Sequence, residues 1–121
     1  MALHITPMLM ELTYELLRAS PPFNKWKLPH ADDIAFRVTA STTEYGEFCF
    51  ETVRKKQKHH TIGVSIVGVR SLDKLIETMA HEMCHLREFI LGARSDVLHG
   101  KAFQKLADQV CARHGFKRGT F

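Results

Sequence analysis

Two histidines and a glutamate lie close together in the second half of the chain, in the sequence His81-Glu82-Met83-Cys84-His85. On a helix, side chains four residues apart lie one turn from each other, so both imidazoles can reach the same metal ion. Glu82 comes next around the helix, where its carboxylate can take a proton from water without binding the ion itself. The pattern therefore predicts a metal site with an adjacent general base.

The segment from Leu72 to Leu91 has the apolar spacing of a helix with one buried face. Ser71 precedes it and is a suitable N-cap. At about 100° per residue, His81 and His85 lie roughly 130–170° from the centre of the apolar stripe. We therefore expect one face to anchor the helix and the opposite face to carry the chemistry. The apolar stripe consists of Leu72, Leu75, Ile76, Met79, Met83, Leu86 and Ile90.

A third histidine, His99, begins a second segment with helical apolar spacing. A catalytic zinc normally takes three protein ligands and leaves a fourth position for water. Gly92 predicts the end of the first helix and Gly115 the end of the second, so the chain can turn back between them. This turn would deliver His99 to the middle of the first helix. The buried face of the second helix is predicted to consist of Phe103, Leu106, Ala107, Val110 and Cys111.

Glu88 is the alternative third ligand, because it shares a helix face with His81 and His85. Three ligands from one helix form a nearly linear array, whereas tetrahedral zinc needs a ligand from another part of the chain. We therefore prefer His99 to Glu88.

The paired sequences H-E-M-C-H and H-G-x-x-F, the second at His99–Phe103, resemble those of the SprT-like zinc metallopeptidases. That family includes Spartan-type proteases of DNA–protein crosslinks. The resemblance implies that His81, His85 and His99 bind Zn²⁺ and that Glu82 is the general base. It also implies a peptidase that hydrolyses peptide bonds in protein substrates, DNA-associated proteins among them.

In the implied mechanism, Glu82 assists the attack of zinc-bound water and later delivers the proton to the leaving amine. Tyr45, Arg87 and the neutral histidines are candidates for stabilising the oxyanion, and the sequence does not choose among them. Two other functions stay open: a nucleic-acid-associated zinc-binding module without proteolytic activity, and a metallohydrolase of a non-protein substrate. A base at Glu82 favours an enzyme, since a structural zinc site has four ligands and no base.

The rest of the chain predicts a compact α+β zincin-like domain over residues 1–121. Thr6 and Pro7 are typical of a helix start, and the apolar residues that follow predict an N-terminal helix. Residues 34–38, 48–50 and 62–66 alternate at period two, which indicates three short strands. Their short connections favour a small, mainly antiparallel sheet in which sequential strands pair. The motif helix and a C-terminal helix complete the predicted fold.

The connection between the second and third strands contains the one strong cluster of basic residues, Arg54, Lys55, Lys56 and Lys58. This cluster is either a solvated hairpin end or a loop that contacts DNA phosphates. The net charge of +4 permits such contacts without demonstrating them.

The sequence predicts a cytoplasmic, monomeric globular protein, and the resemblance implies that it acts on a protein or peptide substrate. Hydrophobic content of 45% and charged content of 25% are ordinary for globular domains. No apolar run approaches the roughly 20 residues of a membrane span, and the N-terminus lacks the features of a signal peptide. Cys49, Cys84 and Cys111 form no C-x-x-C pair, so we expect reduced thiols.

Overall fold

The computed structural model describes the backbone of residues 3–53, 57–92 and 98–121, with side chains throughout except at residues 50–59. Within these ranges the chain forms three α-helices, three strands and three short 3₁₀ turns. The helices are α1 (Pro7–Arg18), α2 (Leu72–Ile90) and α3 (Lys101–His114). The strands are β1 (Ile34–Thr39), β2 (Gly46–Val53) and β3 (Gln57–Ser65). The predicted α+β fold class is therefore confirmed.

The helices begin and end at residues suited to capping. The Thr6 hydroxyl accepts a hydrogen bond from the Leu9 amide at 3.1 Å, and Pro7 occupies the first position of α1. The Ser71 hydroxyl accepts from the Lys74 amide at 3.2 Å and caps α2. Gly115 ends α3 with a φ of 77°, a conformation that glycine adopts without strain. These local signals confirm the predicted starts of α1 and α2 and the end of α3.

The sheet is mixed and has the strand order β1-β3-β2, so the predicted pairing of sequential strands β1 and β2 is wrong. β2 pairs antiparallel with β3, as predicted, whereas β1 pairs parallel with it. The reason lies at the end of β3. The Ser65 hydroxyl donates to the Ser41 carbonyl at 2.7 Å, and the Ser65 amide donates to the Tyr45 carbonyl at 2.7 Å. The β1–β2 connection is thereby held across the end of β3, and the two strands lie on opposite sides of it.

The core lies between the sheet and the helices, with α2 packed against α1, α3 and the sheet. Phe23 and Trp26, from the proline-rich segment between α1 and β1, are buried there. The Tyr14 hydroxyl donates to the Pro29 carbonyl at 2.5 Å and ties that segment to α1. None of the described helices has the length and apolar character needed to cross a membrane. The largest fully buried side chains include Tyr14, Phe23, Phe103, Met10, Ile62, Leu75, Met79, Met83 and Leu86.

Candidate metal centre

α2 supplies two of the predicted ligands, His81 and His85, from adjacent turns of its central and C-terminal part. Their ring centroids are 5.1 Å apart. The helix is fixed by its buried face, where Leu75, Met79 and Met83 are fully buried. A helix held in this way presents both rings with little freedom of the backbone beneath them.

His99 reaches the same point from the segment before α3. Its Nε2 atom lies 3.0 Å from Nε2 of His81 and 3.1 Å from Nε2 of His85. The three candidate ligand atoms all lie within 4.8 Å of one another. Within the described residues, this is the one group of three or more His, Cys, Asp or Glu side chains that could hold a metal ion. The structure thus brings together the three histidines that the sequence predicted.

Phe103 forms the floor beneath the three histidines. Its ring centroid lies 4.9 Å from that of His81 and 4.6 Å from those of His85 and His99. Only 2% of Phe103 is exposed. Sequence reasoning placed this residue on the buried face of the C-terminal helix and missed its contact with all three imidazoles. The available signal was its fixed spacing after His99 in the H-G-x-x-F sequence.

All three imidazoles are held in the neutral form that can bind a metal. The pKa of His81 is lowered to about 4, mainly by burial and also by the nearby charges of His99 and Lys74. A hydrogen bond to the Phe121 backbone acts in the opposite direction. Burial, with smaller effects of His81 and His99, lowers the pKa of His85 to about 3. Burial also lowers the pKa of His99. Near neutral pH, the ring nitrogens therefore carry free lone pairs.

Glu88 lies beside His85 and outside the triad. Its Oε1 is 3.3 Å from Nδ1 of His85, the ring nitrogen that faces away from the other two histidines. A carboxylate in this position fixes the orientation and tautomer of a ligating histidine. The structure therefore places the alternative third ligand as a partner of His85.

Glu82 is buried beside the histidines, with 5% of the residue exposed. A Cβ atom at Gly46 would lie 2.8 Å from Oε2 of Glu82 and 2.7 Å from Cγ2 of Thr78. Glycine at the start of β2 therefore permits the strand to lie directly against this carboxylate. Burial raises the pKa of Glu82 to about 8, with additional contributions from Glu44 and Glu47. The face of α2 that carries Glu82 and the histidines is thus covered by β2 and α3 as well.

The histidines and Glu82 line one cleft with a volume of about 470 Å³. The beginning of β2, α2, Leu98 and Phe121 all contribute to the lining of this cleft. Among the residues that the structure describes, β2 pairs with β3 along one side only and is an edge strand of the three-stranded sheet. The cleft therefore combines a candidate metal site, a buried carboxylate and a strand edge.

The model of the SprT-like family matches residues 19–120, which include His81, Glu82, His85 and His99. The chain belongs to the SprT-like family. No curated protein matches the chain. Membership indicates a metallopeptidase-like domain, and the His81, His85 and His99 cluster gives that domain a site that could hold a metal ion.

Two of the candidate residues for stabilising the oxyanion, Arg87 and Tyr45, lie in different surroundings in this SprT-like chain. Nη1 of Arg87 donates to the Trp26 carbonyl at 2.6 Å, so the side chain holds the proline-rich segment against α2. Tyr45 instead lines the cleft, and Nζ of Lys74 lies 4.1 Å from the centroid of its ring. Of the two, only Tyr45 lines the cleft.

The predicted DNA-contacting cluster falls outside the described part of this SprT-like chain. Arg54, Lys55 and Lys56 lie between the described ranges. Lys58 belongs to β3, and its side chain is among those not described.

Proposed function

We propose that this chain is a zinc metallopeptidase that hydrolyses peptide bonds in protein substrates. The observation that carries the proposal is the convergence of three neutral imidazoles beside a buried carboxylate in one open cleft. A structural zinc site closes four ligands around the ion, whereas this cluster offers three. Zinc held by the three histidines would keep a position open for water in the cleft that Glu82 also lines.

The residues present fit zinc. His81, His85 and His99 offer three nitrogen donors, a ligand set that catalytic zinc sites use, and each is neutral without displacing a proton. Zinc held there would supply a Lewis acid and would lower the pKa of water toward about 7. Glu88 would hold His85 in place through its second ring nitrogen.

Glu82 is the general base in this proposal. Its carboxylate takes the proton from the attacking water and later delivers that proton to the leaving amine. Burial raises the pKa of Glu82 to about 8. The positive charge of zinc held beside it would lower that pKa, so that the carboxylate could accept the proton and later return it. Gly46 keeps the neighbouring strand close enough to exclude bulk water from one side of the carboxylate.

The substrate would bind as an extended chain along β2. Edge strands leave backbone amide and carbonyl groups on one side free to pair with another strand. β2 begins at Gly46, next to Glu82, so a peptide paired with it would pass the histidines. Recognition through the main chain favours unfolded segments over particular side-chain sequences.

The test is hydrolysis of an unfolded protein by the zinc-loaded chain, with Glu82→Gln as the diagnostic variant. This change removes the base and keeps the size of the side chain, so hydrolysis should fall by about 100-fold or more while zinc stays bound. Glu11→Gln on the exposed surface of α1 is the matched control and should retain full activity. A metal chelator should abolish hydrolysis by the parent protein.

Three results would contradict the proposal in different ways. Equal hydrolysis by Glu82→Gln and the parent would exclude Glu82 as the base. If the parent protein holds zinc and shows no hydrolysis, the chain would instead be a zinc-binding module. Binding of single-stranded DNA should be measured in the same experiment. Hydrolysis of small esters or amides without cleavage of protein would favour a metallohydrolase of another substrate.

A further inference from the structure

The backbone of His99 adopts an unusual conformation. Its φ is 60°, in the left-handed region that residues other than glycine rarely occupy. Such a conformation persists only where surrounding contacts enforce it. The contact at His99 is a hydrogen bond from Nε2 of Gln104 to the His99 carbonyl, with a length of 2.9 Å.

Gln104 is itself held at its other amide atom. Oε1 of Gln104 accepts a hydrogen bond from Nη2 of Arg118. Nε of the same arginine donates to Oδ1 of Asp108 at 2.7 Å, one turn further along α3. The glutamine amide is therefore fixed in orientation between the His99 carbonyl and the Arg118 guanidinium.

Arg118 also begins the short turn that leads to Phe121. The Phe121 ring centroid lies 5.3 Å from that of His81, and the Phe121 backbone accepts a hydrogen bond from the His81 ring. Phe121 further stacks on Phe116, with 5.7 Å between centroids. One guanidinium thus connects the segments that contact two of the three histidines, His99 through Gln104 and His81 through Phe121.

We propose that Gln104 and Arg118 are positioning residues of the metal site, which set the backbone of His99 and the place of Phe121 against His81. Neither residue is a candidate metal ligand, and neither lines the cleft of the histidines. The proposal rests on the metal-binding part of the proposed function and not on peptide hydrolysis.

The network should affect metal affinity more than folding. Gln104 is exposed and Asp108 is largely so, and exposed polar pairs contribute little to global stability. Outer partners of metal ligands, in contrast, typically change metal affinity by about 10–100-fold when they are removed. A variant that loses zinc affinity and keeps its global stability would therefore identify a positioning role.

The first experiment compares Gln104→Met with Gln109→Met, the same substitution at another exposed position of α3. Gln104→Met keeps the length of the side chain and removes both of its hydrogen bonds. Zinc affinity, measured by competition with a chelating dye, should fall by about tenfold for Gln104→Met and stay at the parent value for Gln109→Met. The thermal unfolding midpoint of the metal-free protein should be the same in both variants.

The second experiment uses Arg118→Gln, with Lys117→Gln as a control that removes the same charge from the adjacent residue. Zinc affinity should fall for Arg118→Gln only. Because the two residues act through one network, combining Gln104→Met with Arg118→Gln should cost less affinity than the sum of the two single effects. The visible spectrum of the cobalt-substituted protein should change in both single variants, since it reports the geometry of the ligands.

Zinc affinity of Gln104→Met within twofold of the parent would overturn the proposal, as would an equal loss in Gln109→Met. Additive losses in the double variant would also contradict it. All these measurements use metal binding as the readout. They can therefore support the network even where the zinc-loaded protein cleaves no peptide, and in that case the proposed peptidase function alone fails.

Discussion

The two halves of the candidate metal site are built in different ways. His81 and His85 project from a helix that is fully buried along Leu75, Met79 and Met83. His99 stands at a φ of 60° in the connection to α3, beside the exposed Leu98. The first half is ordered by secondary structure and core packing, and the second by a few specific contacts.

This difference shows where the site is robust and where it can be altered. The spacing of His81 and His85 follows from the α-helix itself, so it changes only when α2 is disrupted. The position of His99 depends on Phe103 below it and on the Gln104 hydrogen bond to its carbonyl. Changes to outer contacts should therefore weaken metal binding more readily on the His99 side.

The largest effect should come from removing a ligand from either half. His85→Ala and His99→Ala should each lose most of the bound zinc, because either change reduces the site from three nitrogen donors to two. Metal content after dialysis, measured by atomic spectroscopy, provides the test. Glu88→Ala serves as the comparison and should keep zinc at saturating metal. Full zinc in His99→Ala together with loss in Glu88→Ala would show that Glu88 is the third ligand.

Gly46→Ala tests the close packing of β2 against Glu82 of α2. The added methyl group would meet Oε2 of Glu82 and Cγ2 of Thr78 below 3 Å, so either the carboxylate or the strand must move. Hydrolysis should fall by about tenfold or more, since small displacements of a catalytic group are costly. Zinc content should remain at the parent value because the histidines are untouched. Unchanged activity would show that Glu82 does not need this close approach.

The smallest effect should come from Glu88, the outer partner on the helical half. Glu88→Ala should lower zinc affinity by less than the roughly tenfold expected of Gln104→Met, and Glu88→Gln should lower it even less because the amide can still hydrogen-bond to His85. Competition with a chelating dye measures both variants. Equal losses for the amide and the alanine would show that the negative charge of Glu88 matters and that the hydrogen bond does not.

The two halves also differ in how far the sequence predicts them. Apolar spacing and the Ser71 cap predict α2 almost to the residue, because both signals are local. The burial of Glu82 could not be predicted in the same way, since it depends on the close approach of Gly46 from another element. The order of the strands was likewise missed, because Ser65 fixes it through contacts with the β1–β2 connection. The sequence motif predicted His99 as a ligand, but it gave no indication of the contacts that Gln104 and Arg118 make around it.

The central position of β3 has a consequence for the order of assembly. β2 and β3 form a local hairpin in which Val53 pairs with Gln57, so this ladder can close early along a growing chain. β1 is made first, yet its partner in register is remote, with Ile34 paired to His60. During synthesis, β1 must therefore wait without a partner strand until β3 has emerged. We expect the hairpin that carries the cleft wall to form before β1 docks onto it.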